Sequence, residues 1–155
     1  MTLQLLEEIR TLILNHFGFN AKSTTGSVQI AGNSDLIIHD VQLFCNQLED
    51  KSLQIPLILV SFGKLEFSEI AEKVWRSPLT VELLIVNSRI SPRMKFNHLQ
   101  HLAEHESIVD SCIKLLHNKL FASICEPMIL KFMEINYDYQ GYMTTSLQFN
   151  TYVQI

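Results

Sequence analysis

The sequence has 155 residues, of which 47% are hydrophobic and 18% charged, and its formal net charge is −4. This length suits one ordinary domain, 1–155, and the apolar content is too high for a disordered chain. Because a nucleic-acid binder needs a basic face and the Lys and Arg residues here are scattered, we expect no nucleic-acid partner, sequence-specific or general.

Three cysteines, Cys45, Cys112 and Cys125, form no C-x-x-C pair. This usage predicts reduced, buried thiols and folding in the cytosol. Charged residues interrupt the apolar N-terminal pattern at 7–10, so we expect a helix there and no signal peptide. No apolar run approaches the roughly 20 residues of a bilayer-spanning helix, so we expect no membrane partner.

The first elements follow from apolar spacing. Apolar residues at helical intervals predict an amphipathic helix over residues 2–17, ended by Gly18 as its C′ residue. A polar stretch follows at 20–34, and the alternation of Val28 and Ile30 within it indicates a short strand.

Residues 36–49 fit two interpretations. Their apolar residues recur at helical spacing, whereas a strand would require His39 to face the interior. We expect a short helix over about 39–49.

Two apolar runs, 79–87 and 55–62, should form the middle of the fold. The first is short and rich in β-branched residues, which is typical of a strand buried on both faces. The second should pair with it. Pro56 cannot donate to a sheet ladder and should stand at the strand's beginning. We expect the second strand to continue at 65–67 and a connector to occupy 68–77.

The rest of the chain predicts a loop, a helix and a hairpin. A basic loop covers 89–97, and the longest helix should run from about 99 to 120. Alternating strands at 128–137 and 143–153 flank a turn. The solvated side of the long helix should hold Glu104, His105, Glu106, Asp110, Lys114, His117, Asn118 and Lys119.

The order of these elements predicts the α+β fold class. We expect a single domain with an antiparallel or mixed sheet of about four to five strands and helices packed mainly on one face. One face of the last strand should be dry, and it holds Met143, Thr145, Leu147, Phe149, Thr151 and Val153.

One group of residues has the order of a metal site. His101, Glu104 and His105 match the H-x-x-E-H motif of inverted zincins, and on a helix the histidines lie one turn apart, where they can chelate zinc. His98 lies a further turn back, but no downstream acid stands out as a third ligand. Solvated helix histidines are the simpler interpretation, and a small zinc-dependent hydrolase is the alternative. Without a nucleotide or nucleophile motif, we expect no enzyme activity and no cofactor.

Four residues are candidates for protein contacts. Trp75 lies in the connector, and Arg89, Arg93 and Lys95 lie in the basic loop, which suits phosphate or an acidic protein patch; a merely solvated loop is the alternative. Aromatic residues of the final hairpin fit cross-strand packing or a subunit contact, with base stacking as the alternative: Tyr137, Tyr139, Tyr142, Phe149 and Tyr152.

The layout of the whole chain resembles one protein family. A helix (3–17) precedes a proline-led apolar strand (55–60), then a second strand (81–86), a long helix (105–120) and a closing segment with an alternating strand (129–153). This order is similar to that of the tail-terminator or tail-completion (neck) proteins of long-tailed phages, including the phage Mu-like family.

The resemblance implies a non-enzymatic protein of the virion, present in the host cytoplasm during assembly. Such proteins form a ring, often hexameric, that caps the tail tube and docks to the head or neck. The implied partners are therefore copies of the chain, the tail tube protein and the head–neck connector. Repeated heterologous contacts close a ring, and candidates for them are Trp75, the loop 89–97 and the stretch 20–34. A generic intracellular protein-binding module is a further alternative.

Overall fold

The computed structural model describes residues 1–23, 26–30, 36–50, 52–89 and 98–155, and at 18–23, 26–30 and 98 it describes the backbone alone. From the N-terminus the elements are α1 (Thr2–His16), β1 (Gly18–Ser23), β2 (Gly26–Ile30), β3 (Ile37–Ile38), β4 (Asp40–Leu43), a 3₁₀ helix (Gln47–Glu49), β5 (Leu57–Phe62), β6 (Ser68–Ala71), β7 (Val74–Ser88), α2 (His98–Leu116), β8 (Ile129–Tyr139) and β9 (Tyr142–Gln154).

Most strands belong to one six-stranded sheet in the order β4-β5-β7-β9-β8, with β6 paired to the start of β7. The β4–β5 pair is parallel and the other pairs are antiparallel, so the sheet is mixed. A smaller sheet has the order β2-β1-β3. The predicted α+β class is confirmed, with one strand more in the main sheet than expected.

The two central runs pair as predicted. Antiparallel register places Leu57 opposite Val86 and Phe62 opposite Val81. Burial on both faces holds for 57–60, and in β7 only for 85–87, because Thr80, Glu82 and Leu84 are half-buried. The middle of β7 is therefore dry on one face only.

Both described helices pack on the same face of this sheet. Buried residues recur one turn apart in α1 and α2, and they share a core with the inward residues of β5, β7 and β9. Burying a Leu or Ile side chain contributes about 1.5–3 kcal/mol, so this layer is the main source of stability. Its members include Leu5, Ile9, Ile13, Ile108, Cys112, Leu116, Leu83, Ile85, Leu147 and Phe149.

The helix predicted at 39–49 is wrong. Residues 40–43 form β4, which pairs with β5, and only Gln47–Glu49 turns, as a 3₁₀ helix. Arg10 of α1 fixes the strand by donating to Asp40 Oδ1 (3.1 Å) and to the Val41 carbonyl (3.2 Å). These partners lie far away in sequence, and they override the local helical spacing.

Other boundaries also differ from expectation, including the end of α2, which lies at Leu116 and not near 120. The segment 68–77 is a hairpin of β6 and the start of β7, and 65–67 lies outside the strands. Helix α1 ends at His16, and Phe17 is already extended, so the chain enters β1 at Gly18. The turn between the final strands is confirmed at Gln140–Gly141.

The prediction of buried thiols is wrong for two of the three cysteines. Cys45 and Cys125 are exposed, and only Cys112 is buried.

The second face of the sheet is covered over only part of its area. Leu48, from the 3₁₀ helix, packs with Leu57, Leu59, Val86 and Tyr142 in a small second core. The Tyr142 hydroxyl anchors this cover by donating to the Asp50 carbonyl at 2.6 Å. Beyond this cluster no described element covers the second face, and we call that part the open face.

Candidate functional site

The histidine motif on α2 faces the sheet. His105 is only 1% exposed, and its Nε2 lies 2.8 Å from the Thr145 hydroxyl oxygen on β9. Burial, with a smaller contribution from nearby His101, lowers the pKa of His105 from 6.5 to about 4. The expectation that His105 is solvated is therefore wrong, because this residue joins α2 to the sheet as a neutral imidazole.

The other members of the motif point away from a shared metal position. His101 Nε2 donates to the Ser88 carbonyl at 2.9 Å, and Glu104 is exposed. The side chain of His98 lies outside the described residues. Among the residues whose side chains are described, no group of three or more His, Cys, Asp or Glu is placed to hold a metal ion. The geometry thus gives the two described imidazoles a packing role.

Strand β8 is an exposed edge of the main sheet. Within the described chain it pairs only with β9, and every residue from 131 to 139 is exposed. An edge strand presents unpaired N–H and C=O groups to which another chain can add a strand. Its exposed large side chains are Phe132 (49%), Met133 (49%), Ile135 (40%), Tyr137 (56%) and Tyr139 (40%).

Trp75 lies on an arm formed by β6 and the first residues of β7. It is 41% exposed and exchanges two backbone hydrogen bonds of 2.9 Å with Ile155. Arg76 fixes the base of the arm, since it pairs with Glu126 and lies 4.1 Å from the Tyr152 ring centroid. The predicted contact residue Trp75 is thus on a surface that another protein can reach.

The candidate basic residues do not share a site with Trp75. Arg89 follows the far end of β7, roughly 40 Å from Trp75 by the rise of an extended strand. It is exposed and donates to Asp138 Oδ2 at 3.1 Å. Arg93 and Lys95, like the rest of 90–97, lie outside the described residues, as do the side chains of the expected contact stretch at 20–34.

The open face carries a groove of about 400 Å³ that the sequence analysis missed. It crosses β5, β7, β9 and β8, and two carboxylates, Glu82 and Glu134, point into it. Gln148 Nε2 donates to Glu82 Oε2 at 3.1 Å and orients that carboxylate. A signal was present in the sequence, since Glu82 is the one charged residue in the run 79–87.

Comparison of the sequence with known proteins identifies no relative. The sequence matches no protein-family model and no curated protein. None of the described helices is both long and apolar enough to span a bilayer. The exposed surfaces and the resemblance in layout are therefore the features that bear on function.

Proposed function

We propose that this chain is a structural tail-completion protein of a long-tailed phage or of a phage-derived contractile injection system. It assembles into a ring that caps the tail tube and docks to the head or neck, and its role is mechanical and not catalytic. The tail location comes from the resemblance in layout, and self-assembly is supported by the surfaces described above.

The exposed β8 edge is the observation that carries the proposal. Monomeric proteins usually protect such an edge with charge, proline or a covering segment. Here the exposed apolar side chains of β8 accompany the unpaired backbone groups, and only Lys131, Glu134 and Asp138 are charged. A neighbouring subunit that covers this edge would satisfy the backbone and bury the aromatic groups.

The positions of the exposed surfaces suit a ring. Strand β8 forms one edge of the sheet, and the β6–β7 arm with Trp75 extends on the β5 side of β7, away from it. When two different surfaces of each subunit meet, the contact is heterologous, and repetition around an axis closes a ring. We therefore assign β8 and the arm to opposite sides of the same repeated contact.

Native mass spectrometry of the full chain over a concentration series tests the assembly. We expect a closed oligomer of ring size in the wild type. Replacing Ile135 and Tyr137 by Lys on β8 should weaken it by at least about tenfold, because both aromatic-rich packing and strand addition are lost at the contact centre. The matched control is Leu3→Lys on α1, which also places a charge at an exposed apolar residue (69% exposed).

Two results would contradict the proposal. One is a strictly monomeric chain that also fails to join tails when its phage is assembled. The other is a ring that survives the β8 substitutions unchanged. Tube, sheath or tape-measure genes beside this one would support the tail role, whereas capture of a partner unrelated to tails would favour an adaptor.

A further inference from the structure

The groove on the open face is acidic as well as aromatic. Its only charged lining residues, among those the structure describes, are Glu82 and Glu134. Phe44, Phe132 and Tyr139 line the same groove. Carboxylates next to aromatic rings attract ammonium and guanidinium groups through ion pairing and cation–π contact.

Strand register fixes the spacing of the two carboxylates. Glu82 lies opposite Gln148, and Glu134 lies opposite Ser146, so two strand spacings and a two-residue offset separate them. Their Cα atoms are therefore about 12 Å apart. One long cation cannot neutralise both, but a segment with two cations near each other can.

The chain itself has such a segment. The stretch 83–103 contains no acidic residue, and within it Arg89, Arg93 and Lys95 concentrate positive charge. Arg89 already donates to Asp138 of its own chain. Arg93 and Lys95 supply two further cations for the two carboxylates, and their long side chains suit the separation.

We propose that the basic segment 89–97 of one copy docks into the acidic groove of the next copy, an inference that rests on the proposed self-assembly. A second copy is a better donor of this segment than the chain that holds the groove. Ser88 and His101 flank the segment, and His101 Nε2 donates to the Ser88 carbonyl at 2.9 Å. His101 belongs to α2, which packs on the helix-covered face, whereas the groove opens on the other face. The contact is heterologous, as ring closure requires.

Charge reversal tests the pairing directly. Glu134→Lys should raise the concentration at half-assembly by about tenfold, because Arg93 and Lys95 then meet a like charge. The double variant Arg93→Glu and Lys95→Glu should do the same. Adding Glu82→Lys to these three changes reverses both carboxylates and both cations, so it should restore assembly to within about threefold of the wild type, as the reversed charges again attract each other.

Matched controls separate this effect from misfolding and from net charge. Glu106→Lys makes the same change at an exposed position of α2, on the opposite layer, and should leave assembly unchanged. Far-UV circular dichroism of each variant checks the fold. If Glu134→Lys and the Arg93, Lys95 reversal leave assembly intact, or the combined variant is no better than either, the inference is overturned.

A second measurement keeps this result distinct from failure of the proposed function. A labelled peptide of residues 88–97 is titrated onto the full chain carrying Arg93→Glu and Lys95→Glu, whose groove no copy can fill. We expect binding that Glu82→Gln with Glu134→Gln weakens by about tenfold. Binding of this kind by a chain that never forms rings would uphold the groove and overturn the ring. Rings without charge-dependent peptide binding would uphold the ring and overturn the groove.

Discussion

The two strands of the last hairpin are both rich in apolar residues, but they differ in burial. Strand β9 alternates, and its inward residues, from Met143 to Val153, are at most 2% exposed. Strand β8 carries comparable apolar content, yet all of its residues from 131 to 139 are exposed. Apolar content alone therefore does not determine which strand lies in the interior.

Helix α2 makes the difference. It lies over β9, where His105 reaches Thr145. At the start of β8, Leu130 N–H donates at 3.1 Å to Nδ1 of His117, the residue that follows α2. The edge beyond Leu130 has no described element above it. This contrast places β9 in the core, and it is the physical basis for the proposal that β8 forms a contact between subunits.

The largest expected effect compares one phenylalanine from each strand. Phe149→Ala on β9 should lower the free energy of unfolding by about 3–5 kcal/mol, because it leaves a cavity in the helix-covered core. Phe132→Ala on β8 should cost less than about 1 kcal/mol in the monomer, since its side chain is 49% exposed. Urea denaturation below the assembly concentration measures both, and equal losses would contradict the contrast.

Some of this architecture could be predicted from the sequence because it depends on local pattern. The inward face of β9 and the pairing of 55–62 with 79–87 follow from alternation and from apolar runs. The strand at 40–43 could not, because Arg10 and β5 select it from a distance. Similarly, no local pattern reports that β8 lies beyond the reach of α2.

His105 is a different kind of error, since the signal was present. It precedes Val109, Cys112 and Leu116 at core spacing, and all three are buried. The prediction followed the polarity of the imidazole and not its place on the helix. A hydroxyl on the facing strand, Thr145, accommodates the ring there, and only the folded sheet brings that partner near.

The pH dependence of stability should show the lowered pKa of His105. Its folded pKa is about 4 and its ordinary value 6.5, so the unfolded chain binds a proton that the folded chain does not. The effect of His105 on the free energy of unfolding should therefore be absent above pH 6.5. Between pH 6.5 and about 4 this residue should lower the free energy of unfolding progressively, and below pH 4 its effect should stay constant. The loss is about 3 kcal/mol by linkage.

Two variants identify the source of this slope in urea denaturation at several pH values. His105→Gln keeps a polar group beside Thr145 but cannot titrate, so its stability should change less between pH 6.5 and 4. His16→Gln makes the same substitution on α1 and should keep the wild-type slope. If the free energy of unfolding of His105→Gln changes with pH as much as that of the wild type, other groups cause the effect. The burial of His105 against β9 would then be less complete than the structure indicates.

The smallest expected effect is a difference in thiol reactivity, which depends on what α2 covers. Burial raises the pKa of Cys112 to about 12, and its thiol is enclosed, whereas Cys45 and Cys125 are exposed. Because the thiolate is the reactive species, a disulfide reagent should modify two thiols in the native protein and the third only in denaturant. Cys112→Ala should leave the native count at two and reduce the denatured count to two. Three reactive thiols in the native chain would mean that α2 opens readily, and the inward face of β9 would then be no better protected than β8.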